Sequence, residues 1–146
     1  MSDNVSWPTL AVILAAGQGT RMRSTLPKVM HPVGNRPLLG HVLAAVEDAA
    51  IEHCAVVLGA GGRVVADYLK QTAPAVRTFV QQEQLGTAHA LLAARPALQA
   101  HEKGCVLVLF GDSPLISAQT LLQLRQALID GAAVAVAGFH TRQPGP

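Results

Sequence analysis

The apolar positions of this chain fall into short continuous runs, separated by stretches with helical spacing. Residues 10–15 (Leu-Ala-Val-Ile-Leu-Ala) are apolar without a break, the pattern of a strand covered on both faces. That run leads straight into a polar, glycine-containing stretch from Gly17 to Ser24. After a turn region at 32–37, Leu38, Leu39, Val42, Leu43 and Val46 recur at the spacing of one helix face. Residues 55–58 form a second strand, which glycines at 59–62 break before a helical stretch over 63–71. A short strand over 76–80 precedes a helix over 87–95, where Pro96 marks an interruption or a new start. Residues 105–110 are again continuously apolar. Ser117 suits the N-cap of an amphipathic helix that runs to Asp130, with Leu121, Leu122, Leu124 and Leu128 packing and Gly131 closing its end. Residues 132–139 read as a last strand.

Strands that alternate with helices imply right-handed crossovers and a mostly parallel sheet. The expected architecture is therefore α/β, a three-layer sandwich around a Rossmann-like sheet. Ligands of such sheets sit beyond the carboxyl ends of the strands, so chemistry is expected in the loops after Ala15, Val80 and Phe110. No internal repeat, low-complexity segment or linker interrupts the chain.

Composition narrows the classes. The chain has 146 residues, half of them apolar and 14% charged, which suits one compact domain and excludes a disordered tail. Its rings are Trp7, Tyr68, Phe79, Phe110 and Phe139, so Ala, Val and Leu must fill the core. A formal charge of +2 with scattered Lys and Arg, and so few rings for base stacking, argues against a nucleic-acid surface. A single phosphate chain asks for much less charge. Cys54 and Cys105 lie outside any metal-binding or Cys-x-x-Cys spacing and read as reduced, buried thiols of a cytoplasmic protein. Residues 1–8, expected to be flexible, carry no signal-peptide pattern. The run at 10–16 is too short to span a bilayer, so no membrane partner is expected. The histidines share no ligand spacing and read as structural or solvent-facing.

Three segments carry candidate chemistry. The first is Leu14-Ala15-Ala16-Gly17-Gln18-Gly19-Thr20-Arg21-Met22, with Pro27-Lys28 downstream. Small residues and glycines at a strand end let backbone amides approach a phosphate chain without Cβ clashes. Arg21 would add a planar charged fork and Lys28 a mobile point charge. Met22 stands where the dinucleotide fingerprint needs its third glycine, and the Walker lysine is missing. A tight strand–helix turn without ligand remains an equal reading of Gly17-Gln18-Gly19 alone. The second segment, Gln81-Gln82-Glu83-Gln84-Leu85-Gly86-Thr87-Ala88-His89-Ala90, offers amides able to read a pyrimidine edge, beside the Gly86 and Thr87 N–H groups. Its bland alternative is a polar loop that caps a helix. The third, Leu109-Phe110-Gly111-Asp112-Ser113-Pro114-Leu115-Ile116, places a carboxylate at a strand end, where it could bind a hard cation or simply cap the turn.

Together these motifs resemble the sugar-nucleotide pyrophosphorylases, and in particular the bacterial UDP-N-acetylglucosamine pyrophosphorylases that also carry a glucosamine-1-phosphate acetyltransferase domain. Gly-x-Gly-Thr-Arg-Met with Pro-Lys is similar to the family's signature loop. Gln-Leu-Gly-Thr-Ala-His-Ala looks like its uracil-recognising segment, and Gly-Asp-x-Pro-Leu-Ile like the segment whose Asp holds Mg²⁺. The resemblance, which covers residue 10 onward, implies transfer of a uridylyl group from UTP to N-acetylglucosamine 1-phosphate for cell-wall precursor synthesis. It implies catalytic roles for Arg21 and Lys28, and Mg²⁺ held by Asp112. Nucleotide contacts would come from Leu14, Ala15, Ala16, Gly17, Gly19, Thr20, Gln81, Gly86, Thr87, Phe110, Gly111 and Asp112. Phe110 stands where family members commonly have Tyr, and Ser113 where they have a small apolar residue. Residues 1–146 would be the N-terminal part of the nucleotidyltransferase domain. Family sequences continue with a Tyr-Gly-Arg segment, a second metal ligand and often a trimeric acyltransferase domain. The competing readings are another nucleotidyltransferase, such as one acting on the molybdenum cofactor, and a nucleotide-binding module without activity.

Overall fold

The computed structural model describes residues 7–17 and 24–138. In chain order it contains β1 (Thr9–Ala15), a 3-10 turn (Lys28–Met30), β2 (Pro32–Val33), β3 (Arg36–Pro37), α1 (Leu38–Asp48) and β4 (His53–Gly59). There follow α2 (Arg63–Thr72), β5 (Arg77–Gln81), α3 (Thr87–Ala93), α4 (Arg95–Ala100), β6 (Cys105–Phe110) and α5 (Ala118–Ile129).

The main sheet has the order β5-β4-β1-β6, and every pairing in it is parallel. Every residue of β1 is buried because it lies between two strands and two helical layers. That position explains its unbroken apolar run. On one face Ile13, Val56 and Leu109 pack with Leu39, Val42, Val65, Leu69 and Leu121 from α1, α2 and α5. On the other, Leu10, Val12, Leu14, Ala55 and Val57 pack with Ala90 of α3, Ala97 of α4 and Ala94 at the junction between them. The alanines let these two short helices lie close to the sheet. Each fully buried Leu, Ile or Val contributes about 1.5–3 kcal/mol of burial, so these two layers carry the fold. The expected three-layer sandwich is present.

Local signals act as expected at α5. Ser117 Oγ accepts from Thr120 N at 3.2 Å. At the other end Gly131 N donates to Leu128 O at 3.1 Å and Ala132 N to Ala127 O at 3.0 Å, the double bond of a Schellman cap, with Gly131 at φ +105°. The helix expected over 87–95 ends earlier, at Ala93, and Pro96 sits in the first turn of the new helix α4. The strand expected over 132–139 is not formed across 132–138. Val134 and Val136 are 77% and 85% exposed there, because β propensity is realised only against a partner edge. Residue 139 falls outside the described residues. So do residues 1–6 of the expected flexible start; Pro8 O accepts from Cys105 N at 2.9 Å.

Register brings the strand ends together. Leu14 lies beside Phe110, Ala15 beside Leu58 and Gly59 beside Gln81, so the loops after β1, β5 and β6 open at one edge.

Candidate active site

Lys28 and Asp112 meet at that edge. Lys28 Nζ donates to Asp112 Oδ2 at 2.6 Å, across 84 positions of sequence. The local fold explains the meeting. Met30 N donates to Pro27 O at 2.8 Å, closing the 3-10 turn. Val29, 4% exposed, is pinned into the core beneath it. On the other side Gly111 N donates to Leu14 O at 2.9 Å, extending the β1–β6 ladder by one bond. A Cβ on Gly111 would stand 3.2 Å from Val29 Cγ1 and 3.3 Å from Leu14 O. Glycine thus lets the loop close down on Val29, which aims Lys28 at Asp112. Both charged side chains keep solvent contact, at 44% and 33% exposure, so each remains available to a ligand.

The loop after β5 is tied to the loop after β1. Gln84 Nε2 donates to Ala16 O at 2.6 Å. A Cβ on Gly59 would lie 2.9 Å from that same oxygen, so Ala16 O is enclosed by β4 on one side and bonded by Gln84. Gln81 is 4% exposed. Its Nε2 donates to Gly86 O at 3.3 Å and to His89 Nδ1 at 3.0 Å. Gly86 itself has φ +99° and ψ −178°, a backbone region essentially reserved for glycine.

The sequence-predicted residues divide into three groups. Leu14 and Ala15 end β1 and Ala16 follows it, all in buried positions, with Gly17 next in the open. Lys28, Gln81, Gly86, Thr87, Phe110, Gly111 and Asp112 lie at the same edge of the sheet, on the 3-10 turn, the last residues of β5 and β6, the loops that follow them and the start of α3. Gly19, Thr20 and Arg21 lie outside the described residues. Gln84 and His89 were not singled out from sequence. A bond to a backbone carbonyl leaves no signature in residue spacing, and His89 read from sequence as structural or solvent-facing like the other histidines.

Three other histidines bond to backbone carbonyls. His31 Nε2 donates to Leu26 O, His41 Nε2 to Val33 O and His101 Nε2 to Cys105 O, at 3.2, 3.0 and 3.1 Å. Burial pushes the Cys54 thiol up to about 12. It also raises Cys105, against a smaller opposing pull from Arg125. Neither is a nucleophile at neutral pH. Among the described residues no cluster of three His, Cys, Asp or Glu could hold a metal, and no helix is long and apolar enough to cross a membrane.

A parallel α/β sheet whose carboxyl edge presents a lysine, a carboxylate and glycine-shaped loops is a nucleotide-handling domain. Comparison makes the class specific. The family model of the MobA-like NTP transferase domain matches residues 11–146, and the chain belongs to that family. It is 53% identical over 136 residues to the bifunctional protein GlmU of Rhodopseudomonas palustris (strain BisB5), covering 93% of this chain and 30% of that protein. The GlmU of Bradyrhizobium sp. (strain ORS 278) is 52% identical, with the same coverage of 93% and 30%. The chain thus spans 30% of the length of these relatives. Among solved structures, a nucleotidyl transferase from Methanothermobacter thermautotroptrophicus superposes with TM-score 0.64 and 25% identity, over 81% of this chain and 56% of that one. The 4-diphosphocytidyl-2C-methyl-D-erythritol synthase of Anaerococcus prevotii shares the fold, with TM-score 0.61 and 22% identity over 83% of this chain and 51% of its own.

Proposed function

We propose that this domain belongs to an enzyme that transfers a uridylyl group from UTP to N-acetylglucosamine 1-phosphate, giving UDP-N-acetylglucosamine and pyrophosphate. The observation that carries the reading is the Lys28–Asp112 pair at the carboxyl edge of the sheet. The identity of 53% to a bifunctional GlmU supports the uridylyl reading within the family.

In this reaction a phosphate oxygen of the sugar phosphate attacks the α-phosphorus of UTP. The new P–O bond forms as the bond to the β-phosphate breaks, and pyrophosphate leaves with the electron pair. Little proton transfer is required, so the protein's task is positioning and charge neutralisation. Lys28 holds a phosphate oxygen of the triphosphate, and Arg21 a second. Backbone amides from Gly17 through Thr20 line the phosphate chain, and the Gln84 bond to Ala16 O fixes the start of that loop. Gln81, with the Gly86 and Thr87 amides, reads the base.

Asp112 suits Mg²⁺ on its own chemistry. It is a partly exposed carboxylate without companion ligands among the described residues, and Mg²⁺ commonly takes one or two carboxylates and completes its shell with phosphate oxygens and water. When bound there, Mg²⁺ would neutralise triphosphate charge. Pyrophosphate release measured with each of the four nucleoside triphosphates, on a chain extended to the relatives' length, tests the reading. Turnover with UTP and N-acetylglucosamine 1-phosphate is the expected result. Preference for another nucleotide would replace it with a different transferase of the family.

A further inference from the structure

We infer that His89 is a positioning residue, which fixes the orientation of the Gln81 carboxamide and through it the choice of uracil over cytosine. The inference rests on the uridylyl reading above and deepens it. Gly86 O is a carbonyl and only accepts, so the amide nitrogen of Gln81 must be the atom facing it at 3.3 Å. The same nitrogen lies 3.0 Å from His89 Nδ1. An amide nitrogen only donates, so Nδ1 accepts, and the ring is the neutral tautomer with its proton on Nε2. Gly86 O is itself held, since it also takes the Ala90 N–H at 3.0 Å in the first turn of α3.

Both hydrogens of Gln81 Nε2 are therefore used inside the protein. Among the described residues Gln81 Oε1 takes no hydrogen bond, and it is not a sealed, unpaired atom. What Gln81 offers a ligand is an acceptor. Uracil carries a hydrogen on N3 and satisfies that acceptor. Cytosine presents a bare N3 lone pair and opposes it. A carboxamide turned over would present NH₂ and reverse the preference. Gly86 O opposes that turn from one side, and His89 Nδ1 from the other.

Titrations of this chain followed by ¹H–¹⁵N NMR, which reads weak binding, test the inference with UTP, CTP and inorganic tripolyphosphate. Long-range ring correlations should show His89 with its proton on Nε2. His89→Phe removes the acceptor and should lower the UTP-over-CTP affinity ratio about tenfold, the worth of one hydrogen bond. His89→Asn places Oδ1 where Nδ1 stands and should keep the ratio within about twofold of the parent. Tripolyphosphate affinity should be the same in all three, because the phosphate contacts do not pass through His89. A folded Phe variant that keeps the parent ratio, an Asn variant that loses it, or a His89 ring protonated on Nδ1 alone overturns the inference. A parent chain that does not prefer UTP overturns the base reading itself, and shows this before any variant is made.

Discussion

Replacing Lys28 with Ala separates structure from catalysis by magnitude. In the folded protein Lys28 Nζ sits 2.6 Å from Asp112 Oδ2, with the two side chains 44% and 33% exposed. An ion pair with that much solvent contact contributes about 0–1 kcal/mol to stability. For a domain of this size, Tm should fall by no more than about 4 °C. Val29, not Lys28, anchors the turn in the core, so the backbone should survive. Loss of one preorganised charge from a phosphoryl-transfer site costs about 2.7–4 kcal/mol, or about a hundredfold to a thousandfold in turnover. A further consequence has the opposite sign. Without the ammonium, Asp112 loses its competitor, so Mg²⁺ alone should bind more tightly while UTP binds more weakly. Thermal melting, Mg²⁺ and UTP titrations of this chain, and pyrophosphate release from an extended chain read the four quantities. Parent-level turnover and UTP affinity in a folded variant would remove Lys28 from the machinery. A fall in Tm beyond about 10 °C would make the pair structural instead.

What the sequence reveals is the environment each segment expects, and this explains both its successes and its misses. The run at β1 reads correctly because the strand is central and fully covered. The caps of α5 read correctly because Ser117 and Gly131 act through their own neighbours. The equally continuous run at β6 implies cover on both faces as well. Yet Val106, Val108 and Phe110 are 37%, 40% and 50% exposed, since no helix among the described residues lies over that face. The segment at 132–138 has strand composition and no strand partner for the same kind of reason. At the site, the motifs named the residue types but not their contacts. Nothing in a spacing of 84 residues says that Lys28 touches Asp112; that follows from the register of β1 with β6 and the seat of Val29 beside Gly111.

Asp112→Asn should bind UTP weakly and need far more Mg²⁺, because an amide is a poorer ligand for a hard cation; an unchanged Mg²⁺ titration would return Asp112 to capping its turn. Gln84→Ala removes the bond to Ala16 O and should weaken UTP binding about fivefold, with stability lowered by about 1 kcal/mol or less; equal UTP affinity would mean the tie does not shape the phosphate loop. Cys54 titrates at about 12 in the fold against an ordinary 9.0, so the unfolded chain loses its proton first as pH rises. Stability should then fall between about pH 9 and about pH 12, by at most about 1.4 kcal/mol per unit, and be unaffected below; Cys54→Ala should flatten that slope in urea melts, and an equal slope in both proteins refutes the assignment. The last expectation concerns β6. Its outer edge has no strand partner among the described residues, and its exposed face is Val106, Val108 and Phe110. An unpaired edge offers free N–H and C=O groups to any other strand, and an apolar face beside it adds a hydrophobic reward for pairing. The 146-residue chain should therefore self-associate as concentration rises. Val108→Lys puts a charge at the middle of that face, where pairing would have to bury it, and the side chain can reach solvent in the monomer because the position is already 40% exposed. Sedimentation velocity across about a hundredfold range of concentration should show the parent shifting toward larger species and the variant remaining monomeric, at the same Tm within a few degrees. A parent that stays monomeric throughout, or a variant that associates equally well, would show that this edge and face are not what holds copies together.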